Sequence, residues 1–370
     1  MKVLFYSNIP SPYRVDFYNE LGKKCDLTVL FELYDSSERD EKWQHEEFRN
    51  FRGIYLKGKR LTTDSAFCPE ITNYFKRKYD AIVFTVLVSP TALWAASYLR
   101  RNKIPYYFEG DGGFVGSTKG IKAAWKRFII SGAKGCFSTS VEFDRYCEAY
   151  GAGAERIFRY PFTSVRREDV LTRPLTRSEK QQKKQELGIL EEKMVISVGQ
   201  FIERKGFDLL LRASKNFPEG TGLYIIGGNP TEEYKDIVRQ LDLQGVHFVP
   251  FMSAGLLREY YRAADVFAFF TREDIWGLVV NEAMANGLPV VSTDRCIAAT
   301  ELIHNGENGY VISMNDVAGM STTVGKILEN PEICREMSQN ALKEISEHYT
   351  IENMAEEHVK ILMEECRCTG

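Results

Sequence analysis

Between Arg272 and Thr293 the chain reads REDIWGLVVNEAMANGLPVVST, and this stretch gathers residues able to do chemistry. Arg272, Glu273 and Asp274 form a charged cluster directly after the apolar run ADVFAFF. Trp276-Gly277 reads as a turn. Leu278 to Asn286 reads as a helix, stopped by Gly287-Leu288-Pro289, with Gly past the last turn and Pro beyond it. Val290 to Ser292 starts the next strand. A helix N-terminus therefore lies just outside the carboxyl end of a strand. Open α/β sheets bind ligands there, and the unpaired N–H groups at Gly277-Leu278 favour an anion. Asp274 falls in the loop and Glu282 about one turn into the helix. Eight positions apart, the two carboxylates can stand around one polyhydroxyl ligand.

The elements that must position these residues alternate between strand and helix, which argues for parallel sheets covered on both faces and an α/β fold class. The first half runs VLFYS, a helix over about Tyr13–Lys23, CDLTVLFE, then a charged loop or loose helix from Asp35 to Glu47. Short strands follow at Ile54–Leu56 and Asp80–Phe84, then the helix TALWAASYLRR, the strand and glycine-rich loop IPYYFEGDGG, and the helix KGIKAAWKRFII. From Arg166 to Lys193 the composition turns polar and charged. The expected division is a first domain over 1–165, a linker with an exposed helix over 166–190, and a second domain over 191–350. In the second domain MVISVGQ, GLYIIGG, GVHFVPF, ADVFAFF and GYVI read as strands.

Composition sets outer bounds. The 370 residues suit two domains with a core each. A hydrophobic share of 44% with 27% charged residues is that of a soluble globular protein. The net charge of −3 supplies no basic field for nucleic acid. Eight scattered Cys without a C-x-x-C, and five single His, predict no structural zinc. Met1-Lys2 leads straight into a strand, which leaves no room for a signal peptide, and no apolar run reaches the roughly eighteen residues of a membrane span. A cytoplasmic location is expected.

Phe270 to Val291, FTREDIWGLVVNEAMANGLPVV, resembles the E-x7-E signature of glycosyltransferase family 4, and VGQFIERKGFDLLLRA resembles the same family's V-G-R-x4-K-G-x3-L-L-x-A stretch. ATELIHNGENGYVI also fits. The resemblance implies a GT-B fold: two Rossmann-like parallel-sheet domains facing a central cleft, with the helix over 351–366 packing back on the first domain. It implies a retaining transfer of a sugar from a nucleoside-diphosphate sugar, with no metal and no other cofactor. Lys205 falls on the lysine that holds the donor diphosphate, Asp274 on the first acid, which contacts the donor sugar, and Glu282 on the second, which contacts the ribose. Two departures stand out. Asp274 is Asp where the family has Glu, with Glu273 one position out of register. Gln200 replaces an Arg, so Arg204 and Arg272 are the nearest cations to make up its charge. Trp276 replaces the usual Phe beside Gly277 and Leu278 on the donor side.

Two loops of the first domain are expected on the acceptor side. IPSPYR has two prolines and no glycine, with Tyr13 and Arg14 as contacts; in EGDGG, Glu109 and Asp111 are candidates for touching an acceptor hydroxyl. The expected acceptor is a saccharide or a polyprenyl-linked saccharide in bacterial surface polysaccharide assembly. The helix from Gly120 to Ile130 adds an expected partner. Lys119, Lys122, Lys126 and Arg127 beside Ile121, Trp125, Phe128 and Ile129 suit an anionic membrane surface. Two other readings share these features: a GT-B protein that binds nucleotide sugar without transfer, and a GT-B epimerase or hydrolase.

Overall fold

A computed structural model describes residues 1–34 and 47–367. Most of the charged stretch expected as a loop from Asp35 to Glu47 lies outside the described residues. The chain divides into two compact units: Met1–Ser164 with Thr350–Gly370, and Val165–Tyr349.

Unit 1 is built on a seven-stranded sheet. Its strands are β1 (Lys2–Ser7), β2 (Asp26–Phe31), β3 (Arg52–Tyr55), β6 (Ala81–Phe84), β7 (Tyr107–Glu109), β8 (Gly135–Ser138) and β9 (Ile157–Arg159). A small antiparallel hairpin, β4 (Lys59–Arg60) with β5 (Ala66–Phe67), stands apart from it. The sheet order is β3-β2-β1-β6-β7-β8-β9 and every pairing is parallel. Runs such as VLFY, with no polar alternation, are what a strand buried on both faces requires; Val3, Leu4, Phe5 and Tyr6 are fully buried. Helices start where the sequence supplies caps. The Ser89 hydroxyl accepts from the Ala92 N–H at 2.9 Å before the helix Pro90–Arg101, and Ser140 does the same for Phe143 before Val141–Ala149.

Unit 2 carries the second parallel sheet: β10 (Lys193–Val198), β11 (Thr221–Ile226), β12 (Val246–Val249), β13 (Val266–Phe269), β14 (Val290–Thr293) and β15 (Gly309–Ile312), in the order β12-β11-β10-β13-β14-β15. The expected parallel sheets are therefore present in both halves. The strand order reverses between β10 and β13, which pair from Val195–Val266. The loops leaving the carboxyl ends of these two strands share the switch point of the sheet, where doubly wound folds bind ligands.

The polar stretch after Arg166 belongs to unit 2. Its helix, Arg177–Glu186, opens with a reciprocal capping box between Thr176 and Glu179. It is not freely exposed along its length. Lys184 is 2% exposed and its ammonium reaches Asp265 at 2.8 Å, with Lys180 on the same carboxylate.

The helix Ile121–Ser131 also departs from expectation. Ala123, Ile129 and Ile130 are buried in the core of unit 1, and Phe128 packs beneath Arg100, whose guanidinium carbon is 4.3 Å from the ring centre. Lys126 is turned onto the rings of Tyr146 and Tyr150. Most of the apolar face covers the sheet. Ile121 is the large exception, 75% exposed, with Lys122 and Arg127 exposed on the same helix.

Candidate active site

The loop after β10 carries Gln200, Arg204 and Lys205. Glu203–Lys205 forms one 3₁₀ turn, closed by Gly206 in the left-handed conformation at φ 64°. A Cβ at Gly206 would lie 2.1 Å from the Phe270 carbonyl oxygen, so the close approach of this loop to the one after β13 depends on glycine. The two loops are laced together. The Arg272 N–H donates to the Arg204 carbonyl at 2.8 Å, and the Thr271 hydroxyl donates to the same oxygen at 2.8 Å.

At this junction the Lys205 ammonium meets the Asp274 carboxylate at 2.5 Å. The ammonium also stands 5.0 Å from the centre of the Phe269 ring. Asp274 is held by its backbone: its N–H donates to the Arg295 carbonyl at 2.9 Å, and its carbonyl accepts from the Ile297 N–H at 3.2 Å. This forms an isolated parallel bridge to Cys296. Burial and the neighbouring Asp274 charge push the Cys296 thiol up to about 12, so it stays protonated and donates to the Trp276 carbonyl at 3.2 Å.

Gly277 precedes the helix Leu278–Ala285 with φ 102°, and a side chain there would strike the Cys296 sulfur. No side chain caps this N-terminus, and within its first turn the Val280 N–H donates to the Gly277 carbonyl at 2.8 Å. The helix ends at Asn286 and the left-handed Gly287.

The other sequence-selected residues of unit 2 separate into several environments. Glu282 accepts from the Tyr261 hydroxyl at 3.3 Å, and burial beside that carboxylate raises the phenol well above its ordinary value. Gln200, Arg204 and Glu273 are exposed, with the Arg204 guanidinium on the Glu273 carbonyl at 3.3 Å. Arg272 is already committed: it makes a bidentate pair with Asp208 at 2.6 and 2.7 Å, and that carboxylate holds the guanidinium above its ordinary range. Its charge is balanced by Asp208, while its side chain keeps 32% exposure. Trp276 is 2% exposed and its indole donates to Asn281 at 2.8 Å.

In unit 1, Arg14 is the hub of a buried cluster. It pairs with Glu109 at the end of β7 and with Asp111 two residues on. Glu109 is fully buried and also contacts the His358 imidazole at 3.1 Å. The other His358 ring nitrogen lies 2.8 Å from the Met354 carbonyl, and the ring stacks on Phe137 with centres 4.9 Å apart. Arg14 and His358 together hold the Glu109 carboxyl down to about 2, against the desolvation that would raise it. The sequence-based expectation that Glu109 touches an acceptor hydroxyl is therefore corrected: it is a buried counter-ion. Asp111 is different. Its side chain keeps 27% exposure and accepts from the half-buried Tyr13 hydroxyl at 2.8 Å.

Sequence reasoning missed Asp208, Tyr261, Asn281, Cys296 and His358. Only Asp208 had a local signal, as an acid in the first turn of the helix Phe207–Ser214. Among the described residues no group of three or more His, Cys, Asp or Glu could hold a metal ion, and no helix is long and apolar enough to cross a membrane.

Residues 179–344 match the family model described as glycosyl transferases group 1. An uncharacterized glycosyltransferase of Haemophilus influenzae is 31% identical over 184 residues, 48% of this chain and 51% of its own length. The lipopolysaccharide core biosynthesis glycosyltransferase LpsE of Rhizobium meliloti is 26% identical over 171 residues, 46% of this chain and 49% of its own. The chain thus spans about half the length of the curated relatives it matches. Among solved structures, Anabaena Alr3699/HepE in complex with UDP superposes with a TM-score of 0.79 at 17% identity, over 98% of this chain and 100% of that one. At that identity the likeness speaks for the fold, which is GT-B.

Proposed function

We propose that this chain, whose residues 179–344 match the model of the glycosyl transferases group 1 family, moves a sugar from a nucleoside-diphosphate sugar to a saccharide or lipid-linked saccharide acceptor. The observation that carries the reading is the meeting of Lys205 and Asp274 at the switch point of the unit 2 sheet. In the proposed reaction the bond between the anomeric carbon and the diphosphate oxygen breaks and its electron pair leaves with the diphosphate. The acceptor oxygen bonds to the same face of the sugar, giving retention, and its proton passes to the departing diphosphate. Charge develops on the leaving group, and an oxocarbenium-like sugar forms. Lys205 and the uncapped N–H groups at Leu278 oppose the first. Asp274 orients hydroxyls of the donor sugar, and Glu282, steadied by Tyr261, those of the ribose. On unit 1, Asp111 and Tyr13 are the acceptor contacts, with Arg14 and Glu109 fixing them from within. A UDP donor finds support in the Anabaena complex and a role in surface polysaccharide assembly in the Rhizobium relative. Association with anionic lipid at Ile121, Lys122 and Arg127 would bring a lipid-linked acceptor to the protein, on the cytoplasmic side where nucleotide sugars are made.

A thermal-shift screen of nucleotide sugars identifies the donor, because a bound ligand raises stability by mass action. With that donor, Lys205→Ala lowers turnover about a hundredfold or more, on the order of 3 kcal/mol, if it supplies one main electrostatic contact to the leaving group. Asp274→Asn damages transfer and Glu273→Gln does not. Near-normal turnover in Lys205→Ala sinks the assignment, and a damaging Glu273→Gln beside a silent Asp274→Asn moves the first acid to Glu273.

A further inference from the structure

Lys205 and Asp274 are needed by different parts of a donor, yet without one they neutralise each other at 2.5 Å. Both are largely withdrawn from water, their side chains 12% and 11% exposed. The two partners differ in freedom. Asp274 has a short side chain and a backbone clamped on both sides, by the Arg295 carbonyl and the Ile297 N–H. Its second carboxylate oxygen accepts from the Trp276 N–H at 3.4 Å. Lys205 reaches the pair on a four-carbon stem from a one-turn 3₁₀ segment. When an anion arrives, the ammonium can move to meet it while the carboxylate stays.

We propose that Asp274 is a specificity-determining residue whose carboxylate competes with the donor's diphosphate for Lys205, so that the site favours an intact nucleotide sugar over the bare nucleoside diphosphate. This rests on the reading of Lys205 as the diphosphate contact. An intact donor re-pairs both groups: phosphate oxygens take the ammonium and sugar hydroxyls donate to the carboxylate. A bare diphosphate takes the ammonium and leaves a nearly buried carboxylate without its cation. The loss falls on that complex alone, because an uncompensated buried charge is expensive. After transfer the same competition expels the product. The short side chain of Asp274 on its clamped backbone has little room to turn aside, which strengthens the effect.

Isothermal titration of the full chain with UDP, GDP, ADP and inorganic pyrophosphate tests this without knowledge of the acceptor. The proteins are the wild type, Asp274→Asn, Asp274→Ser, Lys205→Met and the double variant Lys205→Met/Asp274→Asn, each checked by thermal unfolding. Asn is isosteric and keeps the contact to the Trp276 N–H, and Ser gives a second route to charge removal. Both Asp274 variants should bind the diphosphates about tenfold or more tightly than wild type, the scale of a close charge pair released from competition. Lys205→Met should bind more weakly, and the double variant no better than Lys205→Met. A gain that persists in the double variant reports simple relief of repulsion and overturns the exchange. If Lys205→Met weakens binding and neither Asp274 variant tightens it, the exchange fails and the reading of Lys205 stands. If Lys205→Met binds as wild type does, or no protein binds any of the four probes, the reading of Lys205 fails and the exchange with it.

Discussion

Arg14→Met tests whether the buried cluster of unit 1 is one charge-balanced unit. The guanidinium is 5% exposed and serves two carboxylates, Glu109 at 0% and Asp111 at 27%. Met fills much of the same volume but brings no donor. Asp111 can turn toward water, so its loss is small, as for any partly exposed pair. Glu109 cannot. It keeps His358 at 3.1 Å and the Tyr160 hydroxyl at 3.4 Å, and loses its closest cation. Removing one partner of a buried pair costs about 3–5 kcal/mol. In a unit of between about 150 and 250 residues, each kcal/mol moves the midpoint by roughly 2–4 °C. The unit 1 transition in scanning calorimetry should therefore fall by about 6–20 °C. In the double variant Arg14→Met/Glu109→Gln the uncompensated charge is gone, and the coupling should return at least half of the loss. An Arg14→Met transition within about 2 °C of wild type, or a double variant no more stable than Arg14→Met, refutes the picture of a buried charge held by its partner.

Three further outcomes follow. The Glu109 carboxyl lies at about 2 in the folded chain against an ordinary 4.5, so its contribution, on the order of 3 kcal/mol, is complete above pH 4.5 and is lost as the pH falls toward 2; acid titration of unfolding should show that limb, and Glu109→Gln should flatten it. Gly206→Ala places a Cβ 2.1 Å from the Phe270 carbonyl at a φ of 64°, costing about 1–3 kcal/mol and shifting Lys205, so that the midpoint and diphosphate binding fall together; an unchanged pair of values removes glycine's role there. Liposome flotation should find the wild type on anionic vesicles at low salt, with Lys122→Glu/Arg127→Glu left behind; if the wild type stays unbound, Ile121 is only an exposed surface residue and the acceptor is to be sought among soluble saccharides.

The fold was legible because its signals are local. Buried runs such as VLFY and VFAF, capping serines and a terminating glycine mark strands and helices within a few residues of themselves. The hairpin Lys59–Phe67 escaped this reading since strands of two residues carry no period. The loops after β10 and β13 were also legible, from the positions of Lys205 and Asp274 at strand ends. Partnership was not. Nothing near Arg272 reveals that Asp208 neutralises it, and nothing near Glu109 reveals that it is buried, because its partners are an arginine 95 positions away and a histidine 249 positions away. Acids beside glycines read as a solvated turn unless the distant cation is known. Trp276 is a related case: a wide aromatic beside a binding loop suggests a ligand surface, and nothing in the sequence shows its burial or its hydrogen bond to Asn281.

The same distance sets the order in which the protein can be made. Unit 1 is interrupted: its sheet is encoded before residue 165, but the helix Ile351–Arg367 that supplies His358 is encoded after all of unit 2. While the ribosome is still translating unit 2, Phe137, Phe17 and Tyr160 have no imidazole to pack on and Glu109 lacks one of its hydrogen-bond partners. Unit 2 is continuous and can close as soon as Tyr349 has emerged. The half of the molecule that is synthesised first is thus the half that is completed last.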